Sequence, residues 1–305
     1  MGRITARTRV TRITVGGRTS RRDDLLAVEE PLEIRVGRAP LAVTMRTPGH
    51  DIDLAVGFLV SEGVVSRGDQ VTAAIHCAGD DGENTYNVLD LTLAPGVQVP
   101  DAAAQRATYV SSSCGVCGKA SIDAVHTRTS HPVADADLRV PAELLVRFPD
   151  RLRAGQEVFE KTGGLHAAAL FDGRTGEMLV LREDVGRHNA VDKVIGWAAR
   201  EGLLPLRGMV LQVSGRASFE LTQKASMAGI PMLAAVSAPS SLAVEHAKHA
   251  GITLVGFMRG DSMVVYAGAE RIVEQPIEAE RAAARPAAHG AEHLAAQASR
   301  PATAG

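Results

Sequence analysis

The sequence predicts an α/β protein: a layered sandwich with a mostly parallel sheet, preceded by a smaller β-rich part. Three observations carry this expectation. Strand, polar loop and helix follow one another three times between residues 177 and 250, and repeated βα units build largely parallel sheets flanked by helices. Residues 32–93 hold short strand-like runs around a single helical stretch, the pattern of a small, mainly hairpin-built sheet. The chain has 305 residues, 45% hydrophobic and 22% charged, so it can bury a substantial core as one large or two modest domains.

The elements follow in order. Residues 1–28 are basic and expected to fray, although residues 8–15 alternate like a half-buried strand. A β-rich part spans 29–140. Its strands at 32–36 and 41–46 flank a glycine turn, and Asp51 is placed to cap a helix over 51–62 that stops at Gly63. Strands at 71–76 and 88–93 form a hairpin, and Cys77 at the end of the first is expected to pack as a spectator. An α/β domain spans 141–275. Two short helices around Pro149 lead into Lys161-Thr162-Gly163-Gly164. Strands at 177–181, 209–213 and 231–236 then alternate with helices from 190, over 219–228 and up to 250. Strands at 253–258 and 263–266 close the domain. Beyond Pro276 the chain is Ala-rich with few large apolar residues, so 276–305 reads as a disordered tail.

Composition narrows the function. A net charge of −2 gives no bulk argument for nucleic acid or an anionic membrane surface. No apolar run approaches the roughly 20 residues that span a bilayer. The first thirty residues lack an apolar segment, so neither a secretory nor a twin-arginine signal fits, despite Arg21-Arg22. A cytoplasmic, reducing location is therefore expected, where a CxxC serves catalysis or metal binding rather than a structural disulfide.

Two of the three cysteines stand in Ser113-Cys114-Gly115-Val116-Cys117-Gly118-Lys119. Thiolate is the reactive form, and it is favoured near a helix N-terminus or a cation, both of which a strand ending at Val110 and a helix from Lys119 would supply. Four readings compete. A zinc site needs two more ligands, and the chain offers only Cys77 as a further thiol. A thioredoxin-like dithiol belongs early in a βαβ unit, whereas this motif follows about a hundred residues of β structure. Two cysteines can also pack simply as small apolar groups. Sulfur-transfer chemistry is the fourth reading.

The other unusual residues gather in the loops after the strands of the βα units, where open α/β sheets bind ligands. One loop carries Arg187, His188 and Asn189, the next Arg216 and Ser218, the third Ser237, Ser240 and Ser241, and the last Arg259. A single loop arginine is ordinarily a solvated charge. Several on one sheet edge suit a phosphate or pyrophosphate, whose oxygens match guanidinium forks. His166 and His188 stand in similar positions, and a lone histidine there is more often a hydrogen-bonded structural residue than a base.

These pieces together resemble a known family. The stretches Gly57-Phe58-Leu59-Val60-Ser61-Glu62-Gly63 and Ser113 to Lys119, Thr162-Gly163-Gly164-Leu165-His166-Ala167-Ala168, and the runs at 184–193, 214–224 and 237–243 are similar to the FdhD family. These are sulfur carrier proteins required for formate dehydrogenase activity. The resemblance covers about residues 32–267, with Ser240 standing where the family commonly has threonine. It implies a cytidine-deaminase-like α/β core. Zinc deaminases place H-x-E before P-C-x-x-C, whereas here His166-Ala167-Ala168 follows the CxxC and has alanine in place of the glutamate. Both facts argue against deamination.

The implied task is to take sulfane sulfur from a cysteine desulfurase as a cysteine persulfide and pass it to the molybdenum of Mo-bis(molybdopterin guanine dinucleotide), for use by formate dehydrogenase. On this resemblance Cys114 carries the persulfide and Cys117 is its partner. Phe257, Met258, Arg259, Gly260, Asp261 and Ser262 contact the cofactor, with Arg187 and Arg216 as further phosphate ligands, and the chain forms a homodimer. A cofactor-binding chaperone without sulfur transfer, or a dithiol oxidoreductase, remains an alternative.

Overall fold

The computed structural model describes residues 4–78, 82, 85–97 and 129–274. Strands β1 (Thr5–Ile13) and β2 (Thr19–Ala27) pair antiparallel over nine positions. The expected frayed end is therefore a hairpin, turned at Gly16 with φ of 75°. The alternation over residues 8–15 followed by Gly16-Gly17 held that signal, which the basic composition obscured.

A four-stranded sheet follows, with strands β3 (Glu30–Val36), β4 (Ala39–Arg46), β5 (Val71–Cys77) and β6 (Val88–Leu93) in the order β4-β3-β6-β5. The central β3–β6 ladder is parallel and the outer two are antiparallel. Helix α1 (Asp51–Ser61) crosses over from β4, and every residue but Ile52 is buried. A helix apolar on all sides belongs inside a core. Asp51 is not its cap. His50 holds that position in a left-handed conformation, and the Asp51 carboxylate instead accepts Nε and Nη2 of Arg46, both at 3.1 Å.

The remaining strands are β7 (Val140–Pro141), β8 (His166–Asp172), β9 (Met178–Asp184), β10 (Met209–Val213), β11 (Met232–Ala235), β12 (Thr253–Arg259), β13 (Ser262–Ala267) and β14 (Ile272–Val273). Six of them form the main sheet, in the order β13-β12-β11-β10-β8-β9. β7 and β14 pair in parallel beside it. The helices are α2 (Ala142–Leu145), α3 (Phe148–Ala154), α4 (Glu157–Thr162), α5 (Arg187–Arg200), α6 (Phe219–Met227) and α7 (Ser241–Ala250). No helix of the described residues is long and apolar enough to cross a membrane.

The main sheet is mixed rather than mostly parallel. Only β10–β11 and β11–β12 are parallel ladders, while β8–β9, β8–β10 and β12–β13 are antiparallel. The cause is β8, which inserts between β9 and β10. The four strands of the βα units, β9 to β12, do run the same way, as their connections require. Sequence reading missed β8 because Ala167-Ala168-Ala169-Leu170-Phe171 is apolar without alternation, and such a run does not distinguish strand from helix. It is buried on both faces. Ala168 and Leu170 join the core shared by α1, α5, α6 and α7 with the four-stranded sheet, and Ala167, Ala169 and Phe171 pack with Leu145, Phe148 and Leu152 of α2 and α3. That first core draws on residues from Leu32 to Ala267, so the segments before and after residue 140 share it.

Candidate functional site

The carboxyl ends of β9, β10, β11 and β12 lie along one edge of the main sheet. β8 enters the same edge, since His166 pairs with Asp184. A cleft of about 760 Å³ opens there, walled by α3 and α4 on one side and by the sheet edge on the other. His166, Ser214, Met258, Arg259 and Gly260 line it together with Gly163 and Gly164, and Arg153 adds a cation from α3. Arg153 was not expected from sequence; its Nη2 lies 2.6 Å from Glu160 and its guanidinium covers the Phe159 ring at 4.6 Å. Nothing in a short amphipathic helix marks one arginine as facing a cleft.

The start of α5 is held by one carboxylate. Asp184 is fully buried and accepts from Gly186 N at 2.8 Å, Thr47 N at 3.1 Å and Asn189 Nδ2 at 3.1 Å, with Lys193 Nζ at 2.7 Å. Arg187, His188 and Asn189 thus occupy the first turn of α5 rather than the loop before it. That turn contains no acidic residue, and Gly186 brings no capping side chain. The positive end of the helix dipole faces Asp184 first, and any further anion would share it with that carboxylate. Arg187 Nε is buried with no hydrogen-bond partner among the described residues. A buried donor left unpaired in a native fold calls for an explanation.

His166 and His188 share this corner and differ in charge environment. The pKa of His166 is lowered, first by burial and then by the charges of Arg187 and His188. His188 Nε2 lies 3.4 Å from Ser218 Oγ and 3.8 Å from Glu220 Oε2. The His188 imidazole beside it is the main reason that the Glu220 carboxyl is drawn down to about 2, against the opposing effect of its burial.

At the end of β12 the backbone breaks register between Gly256 and Arg259. Phe257 takes a φ of 51° with its side chain 40% exposed, and its N–H donates to Ser237 O at 3.3 Å. A non-glycine residue in this conformation costs roughly 1–2 kcal/mol, and an exposed aromatic held there is a mark of function more than of packing. Met258 is buried at the cleft wall, and Ser262 Oγ donates to Arg259 O at 3.2 Å. Asp261 lies in the adjoining groove of about 420 Å³ with Glu143 and Asp150.

Of the expected site residues, Met258, Arg259 and Gly260 therefore meet at the cleft. Phe257, Asp261, Ser262 and Arg187 lie around it. Arg216 is exposed and does not line it. Cys114 and Cys117 lie outside the described residues. Cys77 is a free, half-buried thiol at the end of β5.

The sequence profile of the FdhD/NarQ family matches residues 27–273. The chain belongs to the FdhD/NarQ family. It is 60% identical over 275 residues to the sulfur carrier protein FdhD of Streptomyces coelicolor, covering 89% of this chain and 97% of that one. It is 56% identical over 277 residues to the sulfur carrier protein FdhD of Mycobacterium tuberculosis, covering 89% of this chain and 100% of the relative. A crystal structure from Desulfotalea psychrophila, described as a formate dehydrogenase accessory protein, superposes with a TM-score of 0.68 at 22% identity over 89% of this chain and 100% of that one. At that identity it speaks to the fold alone.

Membership also explains the long motifs, and the explanation is largely architectural. In the run from Asp184 to Lys193, Asp184, Asn189, Asp192 and Lys193 are all buried and paired. Lys224, from the second motif, lies 2.7 Å from Asp192, which also accepts from Ser61 Oγ of α1 at 2.6 Å. What these motifs leave open is Arg187, Arg216 and the His188–Glu220 pair.

Proposed function

We propose that this chain is a sulfur carrier serving formate dehydrogenase. In this reading a cysteine desulfurase presents sulfur as a persulfide, and the Cys114 thiolate attacks the outer sulfur atom. The donor's S–S bond breaks, its cysteine leaves as a thiolate, and Cys114 becomes the persulfide. No net oxidation occurs, because this is the displacement at sulfur that underlies disulfide exchange. Cys117 stands as the second thiol, able to relay or shield the bound sulfur.

The acceptor is the molybdenum of Mo-bis(molybdopterin guanine dinucleotide), bound as substrate at the sheet edge. The observation that carries this half is the buried Nε of Arg187, without a hydrogen-bond partner among the described residues, beside a cleft that Arg153 and Arg259 line. Donors of this kind suit the pyrophosphates of the guanine dinucleotide arms. The cleft is within the roughly 300–1,000 Å³ usual for small-molecule sites. Arg259, Gly260 and Arg187 would hold phosphate oxygens, and Phe257 and Met258 would offer apolar contact. Relatives named sulfur carrier proteins, at 56% and 60% identity, support the same reading.

Intact mass spectrometry after incubation with a cysteine desulfurase and cysteine tests the proposal. A gain of one sulfur per chain is expected, lost in Cys114→Ala. Cofactor binding without any sulfur gain would make the chain a chaperone instead, and catalytic disulfide reduction would make it an oxidoreductase.

A further inference from the structure

A second cavity lies on the other side of the α1–α5 pair and shares no lining residue with the sheet-edge cleft. It measures about 370 Å³ and sits between the β4–α1 connection, the end of β5 and the start of β6. We propose that it is a binding site for a neutral planar heteroaromatic ring of the purine class. This goes beyond the sulfur-carrier reading and does not rest on it.

Charge gives the first argument. Three carboxylates, Glu30, Asp51 and Asp53, surround the cavity, and each is matched by guanidinium. Arg46 reaches Glu30 at 3.2 Å and Asp51 at 3.1 Å, while Arg182 and Arg200 both bond to Asp53. His50 adds little charge at neutral pH, since burial and then the Arg182 charge lower its pKa. The pocket is thus balanced, unlike the cleft, and does not select a phosphate.

Shape and surface give the second. The Pro48, Ile52 and Tyr86 side chains supply apolar wall, with the Tyr86 ring 48% exposed and set edge-on to the His76 ring at 5.5 Å between centroids. Flat apolar walls with an aromatic face suit a ring, which stacks whatever its substituents.

Unsatisfied polarity gives the third. His76 belongs to the lining, and its Nδ1 is buried with no hydrogen-bond partner among the described residues. A polar group left unpaired on a lining residue is one that a ligand's hydrogen-bonding edge would complete. Two further residues of the lining, His50 and Tyr86, hold left-handed φ values of 55° and 61° although neither is glycine. Strain of this kind persists where the surroundings fix a side chain for use.

Titrating the full-length chain with guanosine and with adenosine, followed through the ring signals of its histidines by NMR, tests the site. Saturable shifts at His76 and His50 with either nucleoside are expected, and an excess of inorganic pyrophosphate should not reverse them. His76→Ala should weaken binding about tenfold or more. Tyr86→Gly, which removes the ring and relaxes the left-handed position, should do the same. Arg187→Ala, a change at the other cleft, should leave these nucleoside shifts as they are. The absence of a saturable shift with both nucleosides on the unmodified chain would overturn the proposal, and so would displacement by pyrophosphate or loss of binding in Arg187→Ala.

Discussion

The α1–α5–α6 seam and the sheet edge draw on the same sequence motifs and use them in opposite ways. At the seam, buried carboxylates are matched: Asp184 with Lys193, Asp192 with Lys224, Asp53 with Arg182 and Arg200. At the edge, Arg187 Nε has no hydrogen-bond partner among the described residues, and Arg216 and Arg259 are exposed. Position within one helix decides which fate a residue meets. Asp184 precedes α5, Arg187 opens it, and Asn189, Asp192 and Lys193 lie on its inner side. A long motif therefore signals a site only at the residues whose polar atoms the fold leaves unspent, and the rest of it sets where those residues point.

The sharpest contrast is between glycines. A Cβ on Gly57 would lie 1.8 Å from Asp192 O, and one on Gly196 would lie 1.8 Å from Asp53 O. These two glycines let α1 and α5 touch backbone to backbone. Gly57→Ala should cost at least about 4 kcal/mol or prevent folding, as expected when helices must separate and buried ion pairs open with them. Gly260 has φ of 53° and open space around its Cβ position. Gly260→Ala should then cost only about 1–2 kcal/mol, from backbone strain alone. Urea unfolding of the two variants measures the difference, and equal losses would mean that the seam is not close-packed.

The ion pairs come next in size. Lys224→Ala leaves the Asp192 carboxylate buried with, among the described residues, Ser61 Oγ as its remaining side-chain donor, and losing one member of a buried pair costs roughly 3–5 kcal/mol. The double change Asp192→Leu with Lys224→Met should cost clearly less, because no uncompensated charge remains. If the double variant proves as unstable as the single, the pair is contributing attraction rather than merely cancelling its own desolvation.

How far these features were legible follows from their physics. The βα rhythm was readable, since strand and helix periods differ, and β10 and β6 appear at the residues expected. Ser240 does cap α7, accepting from Ala243 N at 3.2 Å. β8 was not readable, because burial on both faces erases alternation. The loop arginines were readable as a group, but not their sorting: Arg259 faces the cleft and Arg216 does not, and that depends on where a strand ends within one or two residues. The pairing of Asp192 with Lys224 spans 32 positions and has no local signature. The left-handed Phe257 likewise depends on a register break that only the neighbouring strand defines.

At the edge itself, Arg187→Ala should leave the unfolding midpoint nearly unchanged, since its guanidinium Nε makes no hydrogen bond among the described residues. Pyrophosphate affinity measured by calorimetry should fall about 10–100-fold, the equivalent of one or two charge-assisted hydrogen bonds. Arg187→Lys should recover little of it, because an ammonium cannot replace a planar fork. Unchanged affinity in Arg187→Ala would remove this residue from the phosphate site.

Glu220 stands between the two regions, and its effect is the smallest. Its carboxyl is drawn down to about 2 in the folded chain from an ordinary 4.5, mainly by the His188 imidazole beside it. A carboxyl with a depressed folded pKa binds fewer protons folded than unfolded between those values. Its contribution is therefore fully present above about pH 4.5 and is lost as the pH falls toward 2. Glu220→Gln should be less stable than the parent at pH 6, with the gap closing steadily below pH 4.5 and gone near pH 2. A gap that stays constant across that range would show that Glu220 acts through packing, leaving His188 without the carboxylate that orients it beside His166.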